Sequence, residues 1–173
     1  DAVGVLIDID PNRAKEQVKS VSEVVREGIQ DVRGSLNRLR PGALEGRTLK
    51  DALEKMIREY QTLSNLQVDL HYEWVDVDMD VMIEDTIFRV IQESMTNAVR
   101  HGHASQMSLH FFENEEDYLI ELQDNGVGFE TLTYGYGLKQ MMERISILGG
   151  QLQFESRDGF FTRVSLPKYK EGR

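Results

Sequence analysis

The sequence predicts an α+β fold, a two-layer α/β sandwich in which helices cover one face of a sheet, with one long helix in front of it. Three observations carry that expectation. Some stretches repeat apolar residues at helical spacing, and others alternate apolar and polar residues as a half-buried strand does. The strand-like runs come in hairpins rather than in regular βαβ alternation, which places the helices on one side of an antiparallel arrangement. At 173 residues the chain suits one domain with an appendage.

The long helix runs from Asp10 to Arg40, started by Asp10 with Pro11 and stopped by Pro41 with Gly42. Within it Val18, Val25, Val32 and Leu39 recur every seven residues, beside a second row of Ala14, Val21, Gly28 and Ser35. That is a coiled-coil or bundle seam. Ile29 and Leu36 widen the stripe, as a four-helix bundle requires. The short apolar run from Ala2 to Ile9 reads as the tail of a preceding helix whose first turns lie upstream of residue 1.

A second helix follows Thr48, whose hydroxyl is placed to cap it, and carries Leu49, Leu53, Met56, Ile57, Tyr60 and Leu63 on one side. Val68, Leu70, Tyr72 and Trp74 then alternate with Asp69, His71 and Glu73, the period of a strand. From Asp80 to about His101 the pattern is helical. Strands from Gln106 to Phe112 and from Tyr118 to Gln123 turn over the polar stretch Glu113 to Asp117. After a glycine-punctuated loop, a helix from about Leu138 to Leu148 is ended by Gly149 and Gly150. Strands Gln151 to Arg157 and Phe160 to Leu166 flank Asp158-Gly159, a strong hairpin signal.

Composition removes several functions. Thirty acidic against 20 basic side chains give a net charge of -10, which argues against a surface built to grip nucleic acid. An anionic ligand must therefore be held by local donors or a metal. Without cysteine, disulfides, thiolate metal sites and cysteine nucleophiles are excluded. No apolar run approaches the roughly 20 residues of a membrane-spanning helix.

Two constellations carry chemistry. On the helix ending near His101, Ile87, Phe88, Ile91, Met95, Ala98 and Val99 share one arc, and Arg89, Glu93, Asn97, Arg100 and His101 share the opposite one. A solvated face over a core stripe would give the same split. Asn, however, is a weak helix former, and here it joins a carboxylate and two potential cations on one face. The second constellation is Asp124-Asn125-Gly126-Val127-Gly128-Phe129 after a strand, followed by Gly135-Tyr136-Gly137-Leu138 at a helix start. Glycines admit close backbone approach, and a helix amino end offers N–H groups to phosphate. An Asp there can accept from an exocyclic amine such as that of adenine.

These strings resemble a known family. IQESMTNAVRHG is similar to the N box of the GHKL superfamily of gyrase, Hsp90, histidine kinase and MutL ATPases, DNGVGF to its first glycine box and GYGLKQMMERI to its second. EGIQDVRGSLNRLRP resembles the second dimerisation helix of sensor histidine kinases of the nitrate-sensor-like type, and RISILGGQLQFES their helix-to-strand junction. The resemblance implies a Bergerat-type ATP-binding fold over 42–173, preceded by partial dimerisation and histidine-phosphotransfer helices over 1–41. It implies ATP and Mg2+ as cofactors, with Asn97 as the metal ligand and Arg100 and His101 near the phosphates. Asp124 would accept from the adenine amino group, Gly126 and Gly128 would give the base room, and Gly135, Gly137 and Leu138 would belong to the lid over the phosphates. Thr162 matches a threonine that supports the adenine site, and Glu93 matches the water-activating position of the superfamily's ATPases.

Departures from the family pattern are three. Only Glu130 to Tyr134 separates the glycine boxes, a short lid; the Gly-Thr pair expected before Thr162 is missing; and none of His71, His101, His103 and His110 lies on the dimerisation helix. The acceptor histidine is thus expected before residue 1. The function implied is the ATP-binding catalytic portion of a sensor histidine kinase, passing phosphate to a histidine and then to a response regulator aspartate. A homodimer, no nucleic acid, and membrane attachment only through upstream segments of a bacterial sensor, with this part cytoplasmic, complete the expectation. The alternative is a nucleotide-gated interaction module that transfers no phosphate.

Overall fold

In the computed structural model, the described residues are 10, 12–15, 18, 44–75 and 79–168. The chain divides into two units, Asp1–Glu45 and Gly46–Arg173. In the first, residues 12–15 and 18 are helical. Asp10 starts this helix as expected: its Oδ1 accepts the Arg13 N–H at 3.1 Å and its carbonyl the Ala14 N–H at 3.0 Å. The heptad positions Val25, Val32 and Leu39 and the Pro41-Gly42 stop lie outside the described residues.

The second unit runs α1 (Leu49–Leu63), β1 (Gln67–Tyr72), α2 (Val81–Arg100), β2 (Gln106–Glu113), β3 (Asp117–Asp124), α3 (Tyr136–Ile147), β4 (Gln151–Ser156) and β5 (Phe160–Pro167). Thr48 caps α1, accepting the Asp51 N–H at 3.1 Å while its hydroxyl donates to the Asp51 carboxylate at 2.8 Å. Thr48→Ala should therefore cost about 1 kcal/mol, read as a lower denaturant midpoint with an unchanged slope. Leu49, Leu53, Met56 and Ile57 are buried as the pattern requires, but Leu63 is 87% exposed. Ser64 already breaks the helix, and Leu66 is buried instead.

The sheet order is β1-β2-β3-β5-β4. Two features depart from the hairpin expectation. β1 and β2 are parallel, joined by α2 as a crossover, with Leu70 opposite Leu109. β5 lies between β3 and β4 and is antiparallel to both, so β3 and β4 run parallel with α3 between them in the chain. Met107, Leu109, Phe111, Ile120, Leu122, Val164 and Leu166 form the helix-covered face. The other face carries a polar row across the strands, His71, His110, Glu121, Arg163 and Gln153. His71 and His110 pair there with Asp69 and Glu73.

Trp74 lies just past β1 rather than within it, yet is buried, its Nε1 donating to the Phe112 carbonyl at 2.6 Å. Beside it, burial and the neighbouring Glu84 push the Tyr72 phenol up to about 12, so it stays protonated at neutral pH. α2 buries more than one arc: Thr86, Val90 and Ser94 are buried alongside Ile87, Phe88, Ile91, Met95 and Ala98, because α2 packs on both other helices as well as on the sheet. α3 begins two residues before the expected Leu138, capped by Gly135, so Gly137 lies in its first turn. A glycine there costs less than in a helix interior, since first-turn N–H groups have no intrahelical partner. Gly149, at φ 73°, ends α3 as anticipated, and Asp158 and Gly159 both take positive φ in the β4–β5 turn. Among the described residues no helix is long and apolar enough to cross a membrane.

Candidate functional site

Three segments distant in sequence meet at one end of the sandwich: the second half of α2, the strap 125–135 that follows β3, and the β4–β5 hairpin. Asn125 clasps the strap to the turn between α2 and β2. Its Oδ1 accepts the N–H groups of Ser105 and Gln106, both at 2.9 Å, and its Nδ2 donates to the Ser105 hydroxyl at 3.0 Å. The Val127 N–H donates to the Gly102 carbonyl at 3.0 Å. Gly126 is pressed so close to that carbonyl that an added Cβ would lie 2.5 Å from its oxygen. At Gly128, φ is +60° and a Cβ would meet the Ser156 hydroxyl and the Gly159 backbone. Both glycines are thus required by backbone contact within the protein.

Asp124 is 5% exposed at the end of β3. Its Oδ1 accepts the Gly126 N–H at 2.8 Å and the Phe160 N–H at 3.1 Å, tying strap to hairpin. Its Oδ2 has no donor among the described residues. Because no fully buried side-chain oxygen or nitrogen among them lacks a partner, this oxygen reaches accessible space. One carboxylate is therefore divided between a structural half and an open half.

On α2, Arg89, Glu93 and Asn97 are half-buried, so only the end of the arc is a solvated face. The side chains of Glu93 and Asn97 take no hydrogen bond from any described residue, and those of Arg100 and His101, exposed at the helix end, take none either. The Asn97 carbonyl accepts the N–H groups of His101 and Gly102, at 2.9 and 3.1 Å, which fixes where the helix ends. Across the gap, the Glu93 carboxylate fills the space that a Cβ on Gly137 would need. The first turn of α3 is thereby set against α2 at the residue where both constellations meet. Gly135 stands open, with nothing within 4 Å of its would-be Cβ, and Leu138 is half-buried. Thr162, 2% exposed on β5, lies opposite Leu122 and Phe154 on the covered face and makes no hydrogen bond to Asp124.

A run of rings was not foreseen. Phe129 packs at an angle on Phe160 (5.3 Å between centroids, 56° between planes), Phe160 on Phe154 (5.5 Å, 56°) and Phe154 on Tyr134 (6.4 Å, 60°). No periodicity links residues so far apart in the chain. A hollow of about 900 Å3 touches Asp124 but is lined mainly by Asp69, Ser108, Gln123 and Arg157 of the uncovered face, away from Glu93, Asn97 and Thr162.

Comparison with known proteins bears on the family and the fold. The signal transduction histidine-protein kinase/phosphatase UhpB of Salmonella typhimurium is 34% identical over 163 residues, covering 91% of this chain and 32% of that protein. Sensor histidine kinase LiaS of Bacillus subtilis is 29% identical over 162 residues, covering 92% of this chain and 44% of LiaS. The chain thus spans between about a third and a half of these relatives. Among solved structures, the histidine kinase AdeS of Acinetobacter baumannii superposes with a TM-score of 0.64 at 18% identity, over 91% of this chain and 85% of that one. The ATP-binding domain of PrrB from Mycobacterium tuberculosis gives 0.59 at 20% identity, over 69% of this chain and 93% of that one. Residues 1–44 match a family described as histidine kinase. With residues 82–170 matching the histidine kinase-, DNA gyrase B-, and HSP90-like ATPase family, the chain belongs to that family.

Proposed function

We propose that this chain is the ATP-binding catalytic portion of a sensor histidine kinase, with 42–173 as the catalytic domain and 1–41 as part of the dimerisation and phosphotransfer helices. One observation carries the reading: Asp124 at the head of the glycine strap, and Glu93 and Asn97 one turn apart on α2 with Glu93 against Gly137, each have a side-chain oxygen that no described residue uses. The donor set fits Mg2+ and ATP. Mg2+ favours oxygen ligands and keeps waters and phosphate oxygens in its shell, so one amide oxygen from Asn97 suffices from the protein. When bound, Mg2+-ATP supplies the phosphoryl group and neutralises the charge of the phosphates.

The chain's own part is positioning. Asp124 Oδ2 accepts from the adenine amino group, Asn97 holds the metal, and Arg100 and His101 offer positive or donor groups toward the phosphates. Glu93, braced on Gly137, is placed to take a proton from the attacking group. In the transfer a phosphorus–nitrogen bond forms at an imidazole as the bond to the leaving ADP oxygen breaks. None of the chain's four histidines suits the acceptor role, since His71 and His110 lie on the uncovered sheet face and His101 and His103 follow α2. Passage to a response regulator aspartate, dimerisation through the heptad seam, and a place on the cytoplasmic side of a membrane-bound bacterial sensor complete the proposal, supported by what the relatives are.

Calorimetry tests the core of it. ATP should bind with Mg2+ and more weakly without, and Asn97→Ala should lose that metal dependence while melting like wild type. Absence of heat with or without metal would overturn the nucleotide reading, and metal-dependent binding by the variant would overturn the role of Asn97.

A further inference from the structure

We infer that Phe129, Phe154, Phe160 and Tyr134 form an aromatic clasp against which the nucleobase stacks, a specificity element that deepens the nucleotide reading above and rests on it. The glycines do not supply this face, because the space beside Gly126 and Gly128 is filled by Gly102, Ser156 and Gly159. Whatever holds the flat side of a base must come from elsewhere.

The rings are in the right place. Phe160 donates its N–H to the structural oxygen of Asp124, so the residue that bears this ring is tied directly to the carboxylate whose other oxygen is open. Strand alternation sets Phe160 on the same covered face as Thr162, and Phe154 directly opposite Thr162. Phe129 and Tyr134 come from the two ends of the short spacer between the glycine boxes. Both ends are fastened to the hairpin: Phe129 by its N–H to the Ser156 hydroxyl at 3.1 Å and by its ring to Phe160, Tyr134 by its ring to Phe154. The strap therefore leans on β4–β5 rather than hanging free.

These rings are also unfinished as a core. Phe129, Phe154 and Phe160 are only half-buried and Tyr134 is 46% exposed, whereas the aromatic cluster at the other end of the sheet buries Trp74 and Phe111 fully. A connected aromatic surface left partly open beside a carboxylate oxygen fits a planar, amine-bearing heterocycle. The rings provide stacking and the carboxylate provides the edge contact. The clasp also compensates for a short lid, giving the base a wall that a strap of this length cannot wrap around it.

Calorimetry and ultraviolet difference spectroscopy on the full chain with Mg2+-ATP test it. Wild type should show reduced absorbance of bound ATP in the base's own band, the signature of stacking. Phe160→Leu should weaken ATP roughly ten- to a hundredfold and, at saturation, lose much of that reduction. Tyr134→Ala, at an exposed position that leaves the fold intact, should weaken ATP several-fold with the same spectral loss, and decides alone if the leucine variant melts early. Full absorbance of ATP on wild type, unchanged affinity in both variants, or weaker binding with the spectral change intact would each overturn the clasp. No binding of ATP by wild type would instead overturn the nucleotide reading beneath it.

Discussion

Asp124→Asn should keep the domain folded while costing ATP about ten- to a hundredfold in affinity, on the order of 1.5–3 kcal/mol. Asparagine retains an oxygen where Asp124 Oδ1 accepts the Gly126 and Phe160 N–H groups. Those two donors hold its orientation, so the open position receives an NH2 group. Facing the adenine amino group, this sets donor against donor. GTP, which presents a carbonyl at that place on the ring, should lose less or gain. Asp124→Ala is the poorer probe: it strands two backbone N–H groups at about 1–3 kcal/mol each and mixes folding with recognition. Thermal melts alongside ATP and GTP titrations separate the two, and equal weakening of both nucleotides by the asparagine would leave Asp124 as a brace alone.

Gly159→Ala should be the most damaging single-methyl change. Gly159 has a φ of +135°, and its missing Cβ points at the Asp124 backbone carbonyl and carboxylate. Backbone strain and overpacking against a main-chain atom each cost about 1–3 kcal/mol. A sum on the order of 3 kcal/mol lowers Tm by on the order of 10 °C in a domain of this size. Gly135→Ala, whose Cβ would meet nothing within 4 Å, is the control. A Gly159→Ala melt matching that control would mean that the hairpin is not held against Asp124. ATP affinity should fall with stability, because the hairpin that shifts carries Phe160.

Local chemistry was legible, and long-range pairing was not. Asp10 and Thr48 announce their helices because a cap needs only residues within one turn, and Asp158-Gly159 announces its hairpin because positive φ is a property of those residues. The strings around Glu93, Asn97 and Asp124 point to one site in the sequence; the fold sets Glu93 against Gly137 and ties Asp124 to Gly126 and Phe160. Parallel pairing of β1 with β2 left no trace, since alternation along Val68, Leu70 and Tyr72 is the same whichever way the neighbour runs. Burial of Thr86, Val90 and Ser94 was hidden because α2 has neighbours on several sides, and helical periodicity reports one. That Gly126 and Gly128 are also demanded by their own neighbours was hidden, since Gly102 and Gly159, which an added Cβ would strike, are far away in the chain.

The position of β5 bears on how the domain is made. It is the last of the described strands in chain order, yet it pairs with β3 on one side and β4 on the other, so this sheet stays split until residues 160–167 have left the ribosome. Until then β3 has an open edge, Asp124 lacks the Phe160 N–H, and β4 has no partner at all. A nascent chain halted before Phe160 thus carries every residue of the two glycine boxes without a site to put them in. Nucleotide binding, in this arrangement, reports that translation has passed β5.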